Sequence, residues 1–324
     1  VLKGKIYKFI INAILIFILV GLGYLYYSLF IYKNKSEVTL YFPYGTSAKS
    51  VASTMQKADV IDNSSTFIMA TQFAKLFKKH IISGEYLFEA GATPHQSLKK
   101  LIKGERVLRK LTIAEGLTVK TILELVSTAP GLMGEITESV RECNLLPETY
   151  SYHYGDKANS IVHEMKAAFQ RVAKEAMENN TSSLKTFEEV VILASIVEKE
   201  TKLSEERPRI AGVYLNRLRV GMPLQADPTV IYGMSTGSGT IEKPLTRADL
   251  KIDSPYNTYT RKGLPPTPIA CPGALSIMAT THPENHEYLY FVANATGGHA
   301  FSKNLEEHNK NNAARKAIEG TVKK

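Results

Sequence analysis

Glu198 and Glu200 close a largely apolar run, residues 190–197, that has no Gly or Pro to break it. A carboxylate at the end of a buried helix is costly unless it is paired, hydrogen-bonded or kept protonated by a raised pKa. The last condition is what a general acid needs. At about 100° per residue Glu198 falls on the line of Phe187, Val191 and Ala194, so it projects from a stripe that should face the core. The competing reading is a buried ion pair with Arg209 or Arg217, and spacing alone leaves the two open. Residues two apart point about 200° away from each other, so Glu198 and Glu200 cannot face one bond as a glycosidase pair. Asp227 is the nearest candidate for a second carboxylate, and its place before Pro228 suits a turn or cap equally well.

Other chemistries have less support. His282 and His286 have the i, i+4 spacing of a zinc helix, but Pro283 lies between them and the pattern is not His-Glu-x-x-His, so no metal site is expected. A Gly-x-Ser-x-Gly elbow, a P-loop and a dinucleotide fingerprint are all missing, which removes support for a serine hydrolase, an NTPase or a dehydrogenase. Two cysteines, Cys143 and Cys271, exclude a disulfide scaffold and a Cys-rich zinc site. The net charge of +9 is spread along the chain with no helix-turn-helix, finger or RNA-binding signature, so no nucleic-acid partner is expected. An anionic polymer or a membrane surface is compatible with that balance.

The elements that must position Glu198 can be read around it. Thr186 with Glu189 is a capping box that starts a central buried helix. Ile210, Val213, Tyr214 and Arg217 place a second amphipathic helix, with Pro208 in its first turn and Gly221 after its end. Beyond Gly221 come loops rich in Pro, Gly, Asn and Tyr: residues 224–233, 254–259 and 263–266. Their amides, hydroxyls and aromatic faces suit a cleft for a neutral polar polymer such as a sugar chain, and an ordered Pro-rich surface fits them too. Residues 288–293 read as a strand, 297–301 as a turn with His299, and 305–318 as a closing helix. Before the central helix, residues 127–180 are less regular and hold one helix at 160–179.

At the other end, residues 9–30 carry Asn12 as their one strongly polar side chain, which is the length and composition of a membrane span. We expect a transmembrane helix at 9–31, a short cytoplasmic tail at 1–8 and all later residues on one side. Lys3, Lys5 and Lys8 before the span, against Lys33 and Lys35 after it, favour that orientation slightly. Residues 37–126 hold a weak repeat of strand, Gly turn, Ser or Thr cap and helix: Val38-Thr39-Leu40 with Gly45 and Ser47, Leu111-Thr112-Ile113 with Gly116 and Thr118, and a poorer echo at Tyr86-Leu87-Phe88 with Gly91 and Thr93. Ser65 is expected to cap an amphipathic helix carrying Phe67, Ala70, Phe73 and Leu76. Units of this kind look like LysM modules, which bind N-acetylated glycans; a spacer with a small core is the alternative. The whole is an α+β chain: one membrane helix, LysM-like small α+β modules at 37–126, and a mixed α/β catalytic domain at 127–324 built on the central helix.

Several motifs together carry a resemblance. Leu193-Ala194-Ser195-Ile196-Val197 with Glu198-Lys199-Glu200-Thr201, Asn216-Arg217-Leu218 with Gly221-Met222, Leu224-Gln225 with residues 227–233, Tyr256-Asn257-Thr258-Tyr259, Gly263-Leu264-Pro265-Pro266 and Gly298-His299 resemble the YceG-like (MltG) family of endolytic murein transglycosylases. The likeness covers most of the chain and is densest at 193–309. Cys271, in Ala270-Cys271-Pro272-Gly273, departs from the Thr or other small residue of the pattern and puts a thiol near the expected cleft.

The resemblance implies a lyase that cleaves MurNAc-GlcNAc bonds inside peptidoglycan strands with no cofactor. Glu198 would protonate the glycosidic oxygen and then act as base on the sugar's own 6-hydroxyl, leaving 1,6-anhydro ends. It implies Gln225, Asp227, Tyr232, Tyr256, Asn257 and Tyr259 as cleft residues, with Glu200 and Arg217 as structural support. It implies also a site on the outer face of the bacterial cytoplasmic membrane and partners among the peptidoglycan synthases of elongation or division. Two rivals stand beside it: a membrane-tethered glycan-binding scaffold without catalysis, and a two-carboxylate hydrolase using Glu198 with Asp227.

Overall fold

The computed structural model describes residues 2–235, 237–294 and 297–322, and the chain divides into two compact units. The first comprises residues 1–109, 130–132 and 151–156; the second comprises 110–129, 133–150 and 157–324.

In the first unit α1 (Leu2–Tyr26) runs on into a π-helical turn, Tyr27–Ile31. Residues 5–31 are long and apolar enough to cross a membrane. Ser28, buried at the π-turn, donates to Asp62 at 2.9 Å and lies 2.7 Å from the Thr66 hydroxyl, which fastens the helix end to the folded part of the unit. There β1 (Val38–Phe42), α2 (Ala48–Lys57), α3 (Ser64–Leu76), β2 (Gly84–Phe88) and α4 (Pro94–Lys103) follow in order. The two strands pair antiparallel, from Val38 opposite Phe88 to Phe42 opposite Gly84. Phe42, Met55, Ile61, Phe67, Tyr86 and Leu101 form the centre of a small core between this ribbon and the helices.

Helix α3 departs from its expected form. Asn63 caps it, accepting from the Ser65 and Thr66 amides, whereas Ser65 lies inside the helix. Phe67 is fully buried, but Phe73 and Leu76 are 65% and 78% exposed. Steps of three residues drift by about 60° each, so Phe67, Ala70, Phe73 and Leu76 span half the helix circumference and do not form one face.

The order of strand, turn and helix recurs where β3 (Arg109–Thr112) leads to α5 (Val119–Thr128). Gly45, Gly91 and Gly116 all take positive φ at the three turns, which favours a residue without Cβ. Ser47, Thr93 and Thr118 each cap the helix that follows, and the middle copy, faint in sequence, has the complete capping box with Gln96. The division between units falls inside β3, so α5 and its turn belong to the second unit and residues 37–126 are not one compact body. The physical reason lies in hydrogen bonding: Ile113 donates to Glu148, and Gly116 donates to Cys271.

Strand β4 (Thr149–Tyr152) pairs with β3, and then α6 (Ala158–Glu178), α7 (Phe187–Glu200) and α8 (Arg207–Arg219) build the second unit. After them come α9 (Asp227–Met234), α10 (Ala274–Thr281), the hairpin β5 (Tyr290–Ala293) and β6 (His299–Ser302), and α11 (Leu305–Val322). Helix α7 is the centre: all eight residues Val190 to Val197 are buried, and α8, α9 and α10 pack on it. Two elements differ from expectation. Residues 227–234 form a helix rather than a loop, because Pro228 falls in its first turn where a missing N–H costs nothing. His299 begins a strand, since its segment finds a ladder partner in β5.

Candidate active site

The capping box at the start of α7 forms as expected: Glu189 N–H donates to the Thr186 hydroxyl at 3.2 Å, and Thr186 N–H donates to the Glu189 carboxylate at 3.0 Å. At the end of the eight buried residues Val190 to Val197 the helix delivers Glu198, whose side chain is only 5% exposed. One oxygen accepts from Arg207 Nη2 at 3.0 Å and the other from the Gly273 backbone N–H at 2.9 Å. Arg207 is the first residue of α8 and Gly273 the residue before α10, so Glu198 meets the starts of two helices, where partial positive charge favours an anion. Burial nevertheless dominates and raises its pKa. The Gly273 N–H, the Ser276 hydroxyl and Arg207 pull the other way, while nearby Glu115 adds to the rise.

Glu115 is the second carboxylate of this cluster. Its Oε2 accepts from the same Arg207 Nη2 at 3.2 Å, which puts Glu115 and Glu198 oxygens within about 6 Å of each other across one nitrogen. It is 39% exposed, whereas Arg207 is 7% exposed. Arg207 Nε and Nη1 are buried and find no partner among the described residues. A Cβ added at Gly273 would come within 1.7 Å of Glu115 Oε1, so a larger residue there obliges the Glu115 side chain to move from its place beside Arg207.

Three segments far apart in sequence are tied together here by the short stretch 269–273. Ile269 N–H donates to the Ser195 hydroxyl at 3.0 Å in the middle of α7. Cys271 exchanges backbone hydrogen bonds with the turn that bears Glu115: its N–H donates to Leu117 at 2.7 Å and its carbonyl accepts from Gly116 at 2.9 Å. Lys199 donates to the Gly116 carbonyl at 3.3 Å. The start of α8 is fixed separately, because Glu206 accepts from His299 Nδ1 at 2.6 Å and from the His299 N–H at 2.8 Å.

Glu200 lies in other surroundings. Its carboxylate accepts from the Tyr214 hydroxyl at 2.7 Å, and burial pushes its pKa up to about 7 despite that bond. Asp227 contributes further to the rise, and His299 and Arg217 oppose it. Arg217 donates to the carbonyls of Leu289 (2.7 Å) and Leu224 (2.6 Å) and stacks over Tyr290. Arg209 pairs with Glu284. Neither arginine expected as the partner of Glu198 therefore reaches it; Arg207 does, because the short connection 201–206 brings the first turn of α8 beside the last turn of α7.

The remaining expected residues gather in the loops. Gln225 takes φ +49° and its N–H donates to Thr258. Asp227 accepts from the Tyr259 hydroxyl at 2.5 Å and belongs with Glu200, so the carboxylate beside Glu198 is Glu115 instead. Tyr232 meets Tyr256 edge to face at 4.8 Å, and the Tyr256 hydroxyl lies 2.8 Å from that of Thr267. Asn257 is fully buried: its amide donates to Leu250 and Ile252 carbonyls and accepts from the Tyr259 N–H, so it shapes the loop from within and offers no face to a cleft. Cys271, the thiol near the expected cleft, is likewise fully buried and lies beside Cys143, whose thiol is pushed well up by burial and by that neighbour. His286 Nε2 bonds the Arg209 carbonyl and His282 Nδ1 the Met278 carbonyl, so the two rings serve backbone.

Arg207, Glu115 and Gly273 were not singled out by sequence. One signal existed for Glu115: the turn glycines of the first two copies of the repeat follow Tyr44 and Ala90, and only the third follows a charged residue.

A model of the family described as YceG-like matches residues 40–314. An endolytic murein transglycosylase of Bacillus subtilis (strain 168) is 30% identical, over 86% of this chain and 84% of its own length. One of Streptococcus pneumoniae serotype 2 is 29% identical over 86% of this chain, which spans only 58% of that relative. The crystal structure of a yceG-like protein from Listeria monocytogenes is 31% identical and matches with a TM-score of 0.52, covering 86% of this chain and 99% of that one.

Proposed function

The chain belongs to the YceG-like family, and on that premise we propose that it is an endolytic murein transglycosylase in which Glu198 alone serves as acid and then as base. The observation that carries this reading is the raised pKa of a nearly buried Glu198 held between Arg207 and the Gly273 N–H. Protonated Glu198 donates to the oxygen linking MurNAc C1 to GlcNAc, and the C1–O bond breaks with that oxygen leaving as a hydroxyl. The carboxylate left behind is favoured by the Arg207 charge and the Gly273 N–H, the two groups in place to receive it. It then takes the proton from the 6-hydroxyl of the same MurNAc as that oxygen closes on C1. A 1,6-anhydro ring forms, no water is consumed, and Glu198 is protonated again.

Gln225, Asp227, Tyr232, Tyr256 and Tyr259 are the residues we assign to sugar contact, with Asn257, Glu200 and Arg217 supporting them from inside. Residues 5–31 anchor the chain in the cytoplasmic membrane, and the substrate requires the second unit on its outer side. The strand-turn-helix units of the first unit are LysM-like glycan contacts in this reading, and synthases that extend strands are the fitting partners.

A hydrolase reading gains one specific observation, the proximity of Glu115 to Glu198. Product analysis separates the two. Purified peptidoglycan digested by the full chain in detergent, beside Glu198→Gln and Glu115→Gln, is examined by mass spectrometry. Anhydro ends lost with Glu198→Gln but retained with Glu115→Gln support the lytic mechanism. Reducing ends that need both carboxylates would replace it with hydrolysis.

A further inference from the structure

Helix α3 leaves a question that catalysis does not answer. Met69, Phe73, Leu76 and Phe77 are spaced i, i+4, i+7 and i+8, which puts them on one face, and all four are more than half exposed. Phe73 and Phe77 pack edge to face at 5.3 Å, so the patch is continuous. An apolar face of this kind on a folded surface marks an interaction site.

Its neighbours say what covers it. Met69, Phe73 and Phe77 line an apolar groove of about 940 Å³ together with Leu25, Leu29 and Phe30, which belong to the last two turns of the membrane-crossing helix. Phe30 also stacks on His95 at 4.9 Å, and Ser28 is bonded to Asp62 and Thr66 beside α3. The exposed face of α3 is thus fixed beside the end of the apolar span. That span, 27 residues, is about 40 Å long, against a hydrocarbon core of about 30 Å, which is long enough for its final turns to reach the headgroup region. Lys79 and Lys99 line the same groove, and Lys75 and Lys78 flank Leu76 and Phe77 in sequence; none of the four is in an ion pair among the described residues. Exposed apolar side chains accompanied by lysines are the composition of an interfacial helix on an anionic membrane.

We propose that α3 is a second membrane contact: its Met69, Phe73, Leu76 and Phe77 face enters the headgroup and acyl boundary of the bilayer crossed by α1, with the four lysines on anionic phospholipid headgroups. A single helix leaves a domain free to swing and rotate about the exit point. A second contact on the same bilayer fixes the orientation of the first unit relative to the membrane plane.

The chain has no tryptophan, so one introduced indole reports its own site. Full-length Phe73→Trp and Tyr44→Trp are reconstituted into phosphatidylglycerol-containing vesicles with brominated acyl chains; both positions are exposed, and Tyr44, at 97%, lies off the patch. Phe73→Trp should emit at shorter wavelength and be quenched at least twice as strongly as Tyr44→Trp. Replacing Lys75, Lys78, Lys79 and Lys99 together by Gln should weaken that quenching, and phosphatidylcholine vesicles should do the same to the parent, with about a fivefold effect on docking for each lysine. Equal quenching of the two reporters overturns the proposal. A blue-shifted Phe73→Trp that brominated lipid does not quench also overturns it, because the patch is then covered by protein.

Discussion

Replacing Arg207 by Gln removes the charge that Glu198 and Glu115 share while keeping a side chain of similar reach. Three consequences follow from the geometry. First, the Glu198 carboxylate that appears after proton donation loses a hydrogen bond to a cation held 3.0 Å away and nearly buried. Such bonds contribute about 1.5–3 kcal/mol, and the loss falls on a charge present only after the proton has left, so the rate should drop about 10- to 150-fold. Second, Arg207 lowers the Glu198 pKa and Glu115 raises it, so removing the cation leaves only influences that raise it further, apart from the Gly273 and Ser276 contacts. An acid works below its pKa, and the alkaline limb of the pH profile of kcat/KM should therefore move to higher pH as the plateau falls. Third, Arg207→Lys keeps the charge without the fork and should lie between the two. The assay is initial release of anhydro-ended fragments between pH 5 and 9, with thermal unfolding measured at each pH to show that the variant is folded. A folded Arg207→Gln whose alkaline limb stays in place or moves to lower pH refutes the assignment of Arg207 as the electrostatic partner of the acid.

Three further outcomes are expected. Gly273→Ala drives a methyl group into Glu115 and should cost about 1–3 kcal/mol of stability by chemical denaturation, and the cost should largely vanish in a Glu115→Ala background, where the clashing carboxylate is gone. Glu200, with a folded pKa of about 7 against 4.5, binds more protons folded than unfolded between those values, so its burial destabilises progressively as pH rises from about 4.5 to 7 and fully above; Glu200→Gln, which keeps a partner for Tyr214, should raise stability at pH 8 by about 3 kcal/mol and have little effect at pH 4.5. Cys143 and Cys271 should both resist a maleimide in the native protein and react only on unfolding, which thiol counting in the presence and absence of denaturant checks.

What sequence revealed best was what local periodicity encodes. The capping box of α7, its buried apolar run, the position of Glu198 on the core-facing line and the stretch long and apolar enough to cross a membrane follow from spacing and composition within single helices. The motif set pointed to the right family. What escaped depends on how distant segments dock. Arg207 is one of many charged residues until α8 is known to start beside the end of α7, and Glu115 lies 83 positions before Glu198 in a turn whose neighbour, the 269–273 stretch, cannot be inferred from either. Burial misled in the opposite direction for Asn257, whose amide looked suited to a ligand and is spent on carbonyls of its own loop. On α3 the error was geometric, a three-residue step read as one face, and its correction exposed the patch proposed to meet the membrane.

The stretch 269–273 makes the proposed acid conditional. Only when it has docked against the middle of α7, the turn that bears Glu115 and the last turn before Glu200 does Glu198 acquire its burial and its N–H partner. In a chain still folding, the same residue is an ordinary solvated glutamate, ionised at neutral pH and with no proton to give. On the proposed mechanism, proton donation is therefore a property of the assembled site and not of Glu198 by itself.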